Sequence, residues 1–235
     1  MDILLPQLEI SYYQKIRSQN IVRQLLASKR SLPLIITEEN RFYLLIEDNG
    51  NKICLTTKEE YIPEEIEYAL FTNRLPSKQR FEEGKIVLKG WAKHPLLKEY
   101  SSSEITQSWK NDFLYKEEDK NEPGLRQPQI AALHMIMGHL KLPLDAATVV
   151  MPTGTGKTET MLATLVANRC EKLLVTVPSD SLRNQIAGKF FNLGLLKQFG
   201  VVGEKSLYPI VGIIKNKFEN TEEVTEFLEK CNVVV

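Results

Sequence analysis

The sequence has 235 residues, 43% of them hydrophobic, and its 30 basic residues balance 30 acidic ones, so the formal net charge is +0. This length allows one large domain or two small ones with a substantial apolar core. A neutral chain has no global basic field, and binding to nucleic acid would therefore require a local basic patch.

The three cysteines, Cys54, Cys170 and Cys231, are far apart and form no CxxC pair. This spacing indicates neither a zinc site nor a disulfide framework, and reduced thiols of a cytosolic protein are the simpler interpretation. The N-terminus lacks the basic and apolar regions of a signal peptide, and no segment approaches the ~18 apolar residues of a membrane span. We therefore expect a cytoplasmic protein without a membrane partner.

The N-terminal half predicts a small α+β domain. Its predicted elements are a helix over residues 11–28, strands over 41–47 and 52–57, a helix over 63–70 and a strand over 84–91. The two central strands flank Asn49-Gly50, which is a strong hairpin signal. Proline and acidic residues in the first turn favour the helix that begins at Pro63.

The polar segment 116–124 ends in Pro-Gly and predicts a boundary between an N-terminal domain, residues 1–119, and a second domain, residues 120–235. The second domain alternates apolar β-branched runs with amphipathic helices. Its predicted elements are helix 130–140, strand 147–151, helix 158–169, strand 172–177, helix 180–191, strand 210–214, helix 221–230 and strand 233–235. This alternation is typical of βαβ units, so we expect an α/β domain with a parallel sheet.

The segment Met151-Pro152-Thr153-Gly154-Thr155-Gly156-Lys157-Thr158 lies between a predicted strand and a predicted helix, as phosphate-binding loops do. The glycines allow a tight turn whose N–H groups face phosphate, and the helix N-terminus adds positive potential. In such a loop Lys157 would contact the β and γ phosphates of ATP, and Thr158 would bind Mg²⁺. The alternative is a plain glycine turn, and Met151 replaces the first glycine of the strict GxxxxGK[ST] pattern.

Two segments that flank this loop in sequence also contain candidate functional residues. Leu125-Arg126-Gln127-Pro128-Gln129 precedes the loop, and Val177-Pro-Ser179-Asp-Ser-Leu-Arg183-Asn-Gln185 follows the next predicted strand. Ser179, at a strand-to-helix turn, is placed either to cap the helix or to contact a strand phosphate, and Arg183 lies one turn further on. Gln129 by itself is also consistent with an ordinary polar helix residue.

Together, the three segments resemble the motifs of superfamily 2 helicases and translocases, in the branch related to type I and III restriction motors. The resemblance covers roughly residues 125–235 and implies an incomplete RecA-like parallel sheet with flanking helices. In that family the glutamine matched by Gln129 reads adenine, which an amide does by donating and accepting at once. Arg126 matches the preceding arginine, whereas proline comes one residue late, at Pro128.

The resemblance implies ATP and Mg²⁺ as ligands. Arg126, Gln129 and residues 152–158 would contact the cofactor, with Lys157 and Thr158 as catalytic residues, and Ser179 and Arg183 would contact nucleic acid. The restriction-like segment before the loop favours DNA over RNA. The N-terminal domain is a candidate site for a protein partner.

The acidic DExH/D pair of the family is missing after Lys157, and we predict that Glu222-Glu223 lies in a solvated helical stretch. Since phosphoryl transfer needs metal, positioned water and charge stabilisation together, we expect the front part of a longer motor that does not hydrolyse ATP at a motor's rate by itself. The alternative function is a non-hydrolysing regulatory or scaffold module whose incomplete ATPase domain docks a partner protein.

Four other side chains are less informative. His134 and His139 are five residues apart and do not share a helix face as a metal-binding pair would. Trp91 and Trp109 are able to stack on bases, but the sequence shows no basic patch beside them. Core packing is the favoured interpretation of both tryptophans.

Overall fold

The structure is a computed structural model. It describes residues 2–13, 20–33, 35–38, 44–48, 50–96, 98–142 and 146–235. The chain divides into two compact units, the first comprising residues 1–10 and 26–99 and the second comprising residues 11–25 and 100–235. The boundary predicted between residues 119 and 120 falls inside the second unit.

The regular elements are numbered in chain order. The strands are β1 (Asp2–Leu5), β2 (Leu8–Tyr13), β3 (Ile21–Ala27), β4 (Arg30–Pro33), β5 (Ile35–Glu38), β6 (Leu44–Asp48), β7 (Asn51–Thr56), β8 (Tyr68–Thr72), β9 (Leu88–Lys93), β10 (Leu173–Leu174), β11 (Ile210–Ile213) and β12 (Val233–Val234). The helices are α1 (Lys78–Glu82), α2 (Ser102–Ser108), α3 (Gln127–His139), α4 (Lys157–Ala167), α5 (Asp180–Phe191) and α6 (Thr221–Lys230), with a 3-10 turn at Glu59–Tyr61.

The first unit is mostly β-structure. Its main sheet has the strand order β5-β6-β7-β8-β9, and β1 pairs with β4. The predicted hairpin is confirmed, because β6 and β7 pair antiparallel from Leu44↔Leu55 to Asp48↔Asn51; residues 41–43 and Asn49 lie outside the described residues. Apolar side chains are buried in two separate clusters, one around Ile46 and Leu70 and the other around Cys54 and Ala69.

Two predicted N-terminal helices are wrong. Over residues 11–28 the chain forms the end of β2 and all of β3, while residues 14–19 lie outside the described residues. Over residues 63–70 it turns, with Ile66 N–H donating to Pro63 O at 3.1 Å, and then enters β8. Both segments find backbone partners in distant strands, and that long-range pairing overrides the local helical pattern.

The sheet of the second unit has the strand order β10-β12-β11-β3-β2. β12 pairs in parallel with β10 and with β11, which confirms a parallel arrangement for these three strands. β3 adds an antiparallel neighbour, with Val211 opposite Arg23. The sheet is therefore mixed, because a strand far upstream in sequence completes one side.

The helices of the second unit agree with the predictions. α3, α4, α5 and α6 lie within about three residues of their predicted limits, since each has apolar residues at helical spacing and a recognisable first turn. Ser179 caps α5 by accepting from Leu182 N–H at 3.3 Å, and Asn220 caps α6 by accepting from Glu223 N–H at 2.8 Å. The core between helices and sheet is fully buried at Leu162, Leu165 and Phe190, among others.

The strand predicted at 147–151 is absent. Residues 146–151 have no regular secondary structure, and the side chains of Val149 and Val150 are 37% and 87% exposed. A strand needs a neighbouring backbone to satisfy its N–H and C=O groups, and none of the described strands pairs with this segment. The predicted strand over 172–177 is likewise reduced to the two residues of β10.

Two polar side chains join the parallel strands to their surroundings. Asn232, fully buried, accepts from Ile210 N–H at 3.1 Å and donates to Ser102 O and Ser102 Oγ at 3.0 and 2.8 Å. Lys172 Nζ donates to three carbonyl oxygens at the C-terminal end of α6, those of Leu228, Glu229 and Cys231, at 2.7–2.8 Å. A cation is favoured at that end of a helix, although partial burial lowers the pKa of Lys172.

The cysteines are free thiols, and Cys54 and Cys231 are buried. Burial raises the pKa of Cys54 to about 11 and that of Cys231 to about 12, so both are protonated near neutral pH.

The prediction that Glu223 is solvated is wrong. Glu223 is 4% exposed, and its carboxylate accepts from Glu219 N–H at 2.8 Å just before α6. No helix in the described part of the chain has the length and apolar content needed to cross a bilayer.

The bonds of Asn232 predict a stability effect. Asn232→Ala leaves the buried Ile210 N–H without its acceptor and removes two hydrogen bonds to Ser102, so we expect the free energy of unfolding to fall by about 2–4 kcal/mol. Urea unfolding monitored by tryptophan fluorescence measures this, with the exposed Asn121→Ala as the matched control. Equal stability of the two variants would refute the importance of the Asn232 network.

Candidate nucleotide-binding site

The glycine-rich loop leads directly into α4. Gly154 and Gly156 have φ values of 84° and 86°, a backbone region that glycine adopts readily. Thr155 Oγ1 donates to Pro152 O at 2.7 Å and closes the turn. Gly156 is the N-cap of α4, so Lys157 is the first residue of the helix and the loop lies at its positive end.

Gln129 joins the start of α3 to this loop. Its Oε1 accepts from Arg126 N–H at 2.8 Å, and its Nε2 donates to Gly156 O at 3.0 Å. The side chain is only 3% exposed. A Cβ at position 156 would lie 2.2 Å from Gln129 Nε2, so glycine is required there both for its φ and for the close approach of this amide.

Arg126 makes a second connection between α3 and the loop. Its Nη1 donates to Gly154 O at 2.7 Å, and its Nε lies 3.4 Å from Glu118 Oε2. Pro128 occupies the first turn of α3, where proline fits well. The one-residue displacement of proline therefore does not disturb the start of the helix.

Lys157 turns back onto its own loop. Its Nζ donates to Met151 O at 2.6 Å and to Pro152 O at 3.0 Å. An ammonium group has three donors, so at least one remains for a further acceptor in this arrangement. Thr158 follows in the first turn of α4 and is half-buried, whereas Pro152 and Thr153 are exposed.

The predicted nucleic-acid residues lie at the N-terminus of α5. Ser179 is the N-cap described above. Arg183 Nη1 donates to Ile214 O at 2.8 Å, just beyond β11, and its Nη2 contacts Asp180 Oδ1 at 2.8 Å. These contacts fix the guanidinium and leave part of its five-donor fork unused.

Sequence patterns alone did not identify two acidic residues that lie near the loop. Glu118 lies in the polar segment that predicted a domain boundary, and it contacts Arg126. Glu159, in the first turn of α4, lies 3.5 Å from Lys189 Nζ and links α4 to α5. In the described ranges, no group of three or more His, Cys, Asp or Glu side chains is arranged to hold a metal ion.

These elements together are those of an α/β domain with a glycine-rich loop at a helix N-terminus. Residues 122–233 match the family model described as the type III restriction enzyme, res subunit. This part of the chain is therefore a superfamily 2 helicase-like domain, and the predicted resemblance to the restriction-motor branch is confirmed. Neither the curated proteins nor the solved structures contain a match to the chain.

The Gln129 contacts predict the effect of a charge at that position. Gln129→Glu keeps an acceptor for Arg126 N–H but places a carboxylate oxygen against Gly156 O, where no donor remains. We expect a loss of about 1–3 kcal/mol in the free energy of unfolding, measured by urea titration. Gln185→Glu, at an exposed position of α5, is the matched control, and an equal effect of both changes would contradict the role given to Gln129.

Proposed function

We propose that this chain is the ATP-binding part of a superfamily 2 helicase or translocase that acts on DNA and couples ATP hydrolysis to movement or unwinding in the full-length protein. The observation that carries the proposal is the attachment of the loop 151–158 to α3 through Gln129 and Arg126, inside a domain that matches a helicase-like family. Two separate motifs of the resemblance thus meet at one place.

The residues present fit a nucleotide phosphate and its Mg²⁺. The left-handed glycines turn the loop around the N-terminus of α4, whose N–H groups are an anion site. We propose that Lys157 exchanges its contacts with Met151 O and Pro152 O for the β and γ phosphates, and that the Thr158 hydroxyl binds Mg²⁺. Bound Mg²⁺ would neutralise phosphate charge.

The proposed adenine contact is compatible with the structural role of Gln129. An amide has two N–H donors and two acceptor lone pairs, and the contacts to Arg126 and Gly156 use one of each. The remaining N–H and lone pair suit the adjacent acceptor and donor of adenine. Gln129 would then transmit the identity of the base to the backbone of the phosphate loop.

The proposed nucleic-acid contacts rest on the N-terminus of α5. Ser179 is the exposed N-cap of α5. The Arg183 guanidinium donates to Ile214 O, and some of its N–H donors remain unused. Phosphate groups of a DNA strand are the natural acceptors for such a site. The preference for DNA over RNA rests on the restriction-motor family alone.

We also propose that β10, β11 and β12 belong to an incomplete RecA-like parallel sheet with flanking helices. β12 pairs in parallel with both β10 and β11. In sequence α5 connects β10 to β11 and α6 connects β11 to β12, as crossover helices do between parallel strands of one sheet.

We propose residues 120–235 as the helicase-like domain of a cytoplasmic motor. Residues 1–119 would be an accessory domain and the candidate site for a protein partner.

The proposal predicts nucleotide binding that depends on Lys157. Lys157→Ala removes a charged donor to the phosphates, and we expect Mg·ADP to bind about ten- to a hundredfold more weakly, measured by isothermal titration calorimetry. Lys205→Ala, at an exposed lysine elsewhere, should leave the affinity unchanged.

The same titration separates the two functional classes. Binding of Mg·ADP to the unmodified chain, with weaker binding of Mg·GDP, supports an adenine-nucleotide motor. Failure of both nucleotides to bind at millimolar concentration would contradict the proposal and favour a scaffold module without nucleotide.

A further inference from the structure

A second pocket lies at the opposite end of the helices that start at the phosphate loop. It has a volume of about 330 Å³, and Met137 near the end of α3 and Ala167 at the end of α4 form part of its wall. α4 has 11 residues, and at about 1.5 Å per residue it separates the pocket from the loop by about 15 Å. This pocket is therefore distinct from the proposed ATP site.

The pocket is positively charged. Lys110 and Arg169 line it, and none of its lining residues, all of which are described, is Asp or Glu. Within the described part of the chain, neither side chain has a hydrogen-bond or ion-pair partner. Two cations without protein counter-charges thus face the same small cavity, which favours an anionic ligand.

An aromatic platform forms another side of the pocket. Tyr115 lines it and is 43% exposed, so its ring is not part of the core. Its ring stacks on His134 of α3, with centroids 4.6 Å apart and planes inclined by 8°, and Phe113 meets it edge-on at 5.1 Å. These neighbours hold the tyrosine in place, so a flat ligand finds a preorganised stacking surface.

The backbone around the pocket is held in an unusual conformation. In the described ranges, three residues other than glycine have a positive φ, and two of them, Asn111 at 62° and Arg169 at 50°, line this pocket. Arg169 follows α4, where its N–H donates to Val166 O and the next N–H donates to Leu165 O. Glycine is the favoured residue at this position of a helix end, yet the chain has a cation there.

We propose that this pocket binds a nucleotide unit, with the base stacked on Tyr115 and the phosphate between Lys110 and Arg169. The pocket volume lies at the lower end of the range for small-molecule sites. An acidic peptide would satisfy the two cations but not the stacked ring, and an apolar partner would bury two unpaired charges at a large penalty. A flat base joined to a phosphate uses both features.

The nucleotide unit has two sources, a free mononucleotide or one residue of a single strand. UMP and an oligothymidylate of about ten nucleotides represent them, because base stacking on tyrosine tolerates any base. Both titrations use the full 235-residue chain and its Lys157→Ala variant, with calorimetry for UMP and fluorescence anisotropy for the labelled oligonucleotide. Because Lys157 lies at the loop, equal binding by the two chains separates this pocket from the proposed ATP site, so the result does not depend on the proposed ATP function.

Two substitutions test the ring and the cation separately. Tyr115→Ala removes the stacking surface and should weaken binding about tenfold. Arg169→Gly removes the guanidinium while supplying the residue that best fits a φ of 50°, so binding should weaken by a similar factor and the melting temperature should stay equal or rise. Leu114→Ala, next to Tyr115 and 60% exposed, is the matched control and should not change binding.

The outcomes distinguish a mononucleotide site from a site for one residue of a single strand. Binding of UMP that weakens in Tyr115→Ala and Arg169→Gly identifies a mononucleotide site, and the same pattern for the oligonucleotide alone identifies a strand site; either result supports the proposal. The proposal is overturned if neither probe binds, if both variants bind as tightly as Leu114→Ala, or if Lys157→Ala weakens binding as much as Tyr115→Ala does.

Discussion

The contact between the Gln129 amide and the carbonyl of Gly156 fixes the geometry on which the rest of the site depends. It joins the first turn of α3 to the N-cap of α4. Arg126 makes a second connection between the same two elements, because its guanidinium donates to Gly154 O. Because Gln129 is buried and Gly156 cannot take a side chain without meeting it, the two motifs constrain each other. The phosphate loop is therefore positioned by a helix that precedes it in sequence rather than by a strand directly beneath it.

The same contact places the first turns of α3 and α4 next to each other. Both helices start at the loop, and their later turns border the pocket that contains Lys110, Tyr115 and Arg169. The two proposed sites are therefore built on the same pair of helices, one at each end.

The sequence predicts the second unit well where local signals are sufficient. α5 matches its predicted limits because Ser179 caps it and its apolar residues recur at helical spacing, and α3, α4 and α6 follow the same logic. The helix predicted over residues 11–28 is wrong because β3 is defined by its pairing with β11, almost two hundred residues away in sequence. The strand at 147–151 failed for a related reason: Val149 and Val150 have the right residue types, but strand formation also requires a partner that local sequence does not specify.

The candidate site was also only partly predictable from the sequence. Motif spacing selected Gln129, Arg126 and Lys157 before their contacts were known, yet it gave no sign that Gln129 binds Gly156 or that Lys157 contacts Met151 O. The second pocket was not predicted, because Lys110, Tyr115 and Arg169 share no motif and meet only through the packing of α3, α4 and the segment after α2. Such a cluster is visible only in three dimensions.

The central claim is that a nucleotide binds at the loop between residues 151 and 158, where α3 holds the start of α4. Hydrogen–deuterium exchange of the full chain with and without Mg·ADP tests it most directly, because a phosphate that accepts from the loop amides slows their exchange. The account predicts strong protection in peptides that cover residues 151–160 and no change in those that cover α2. Unchanged exchange across the loop at saturating nucleotide would contradict it.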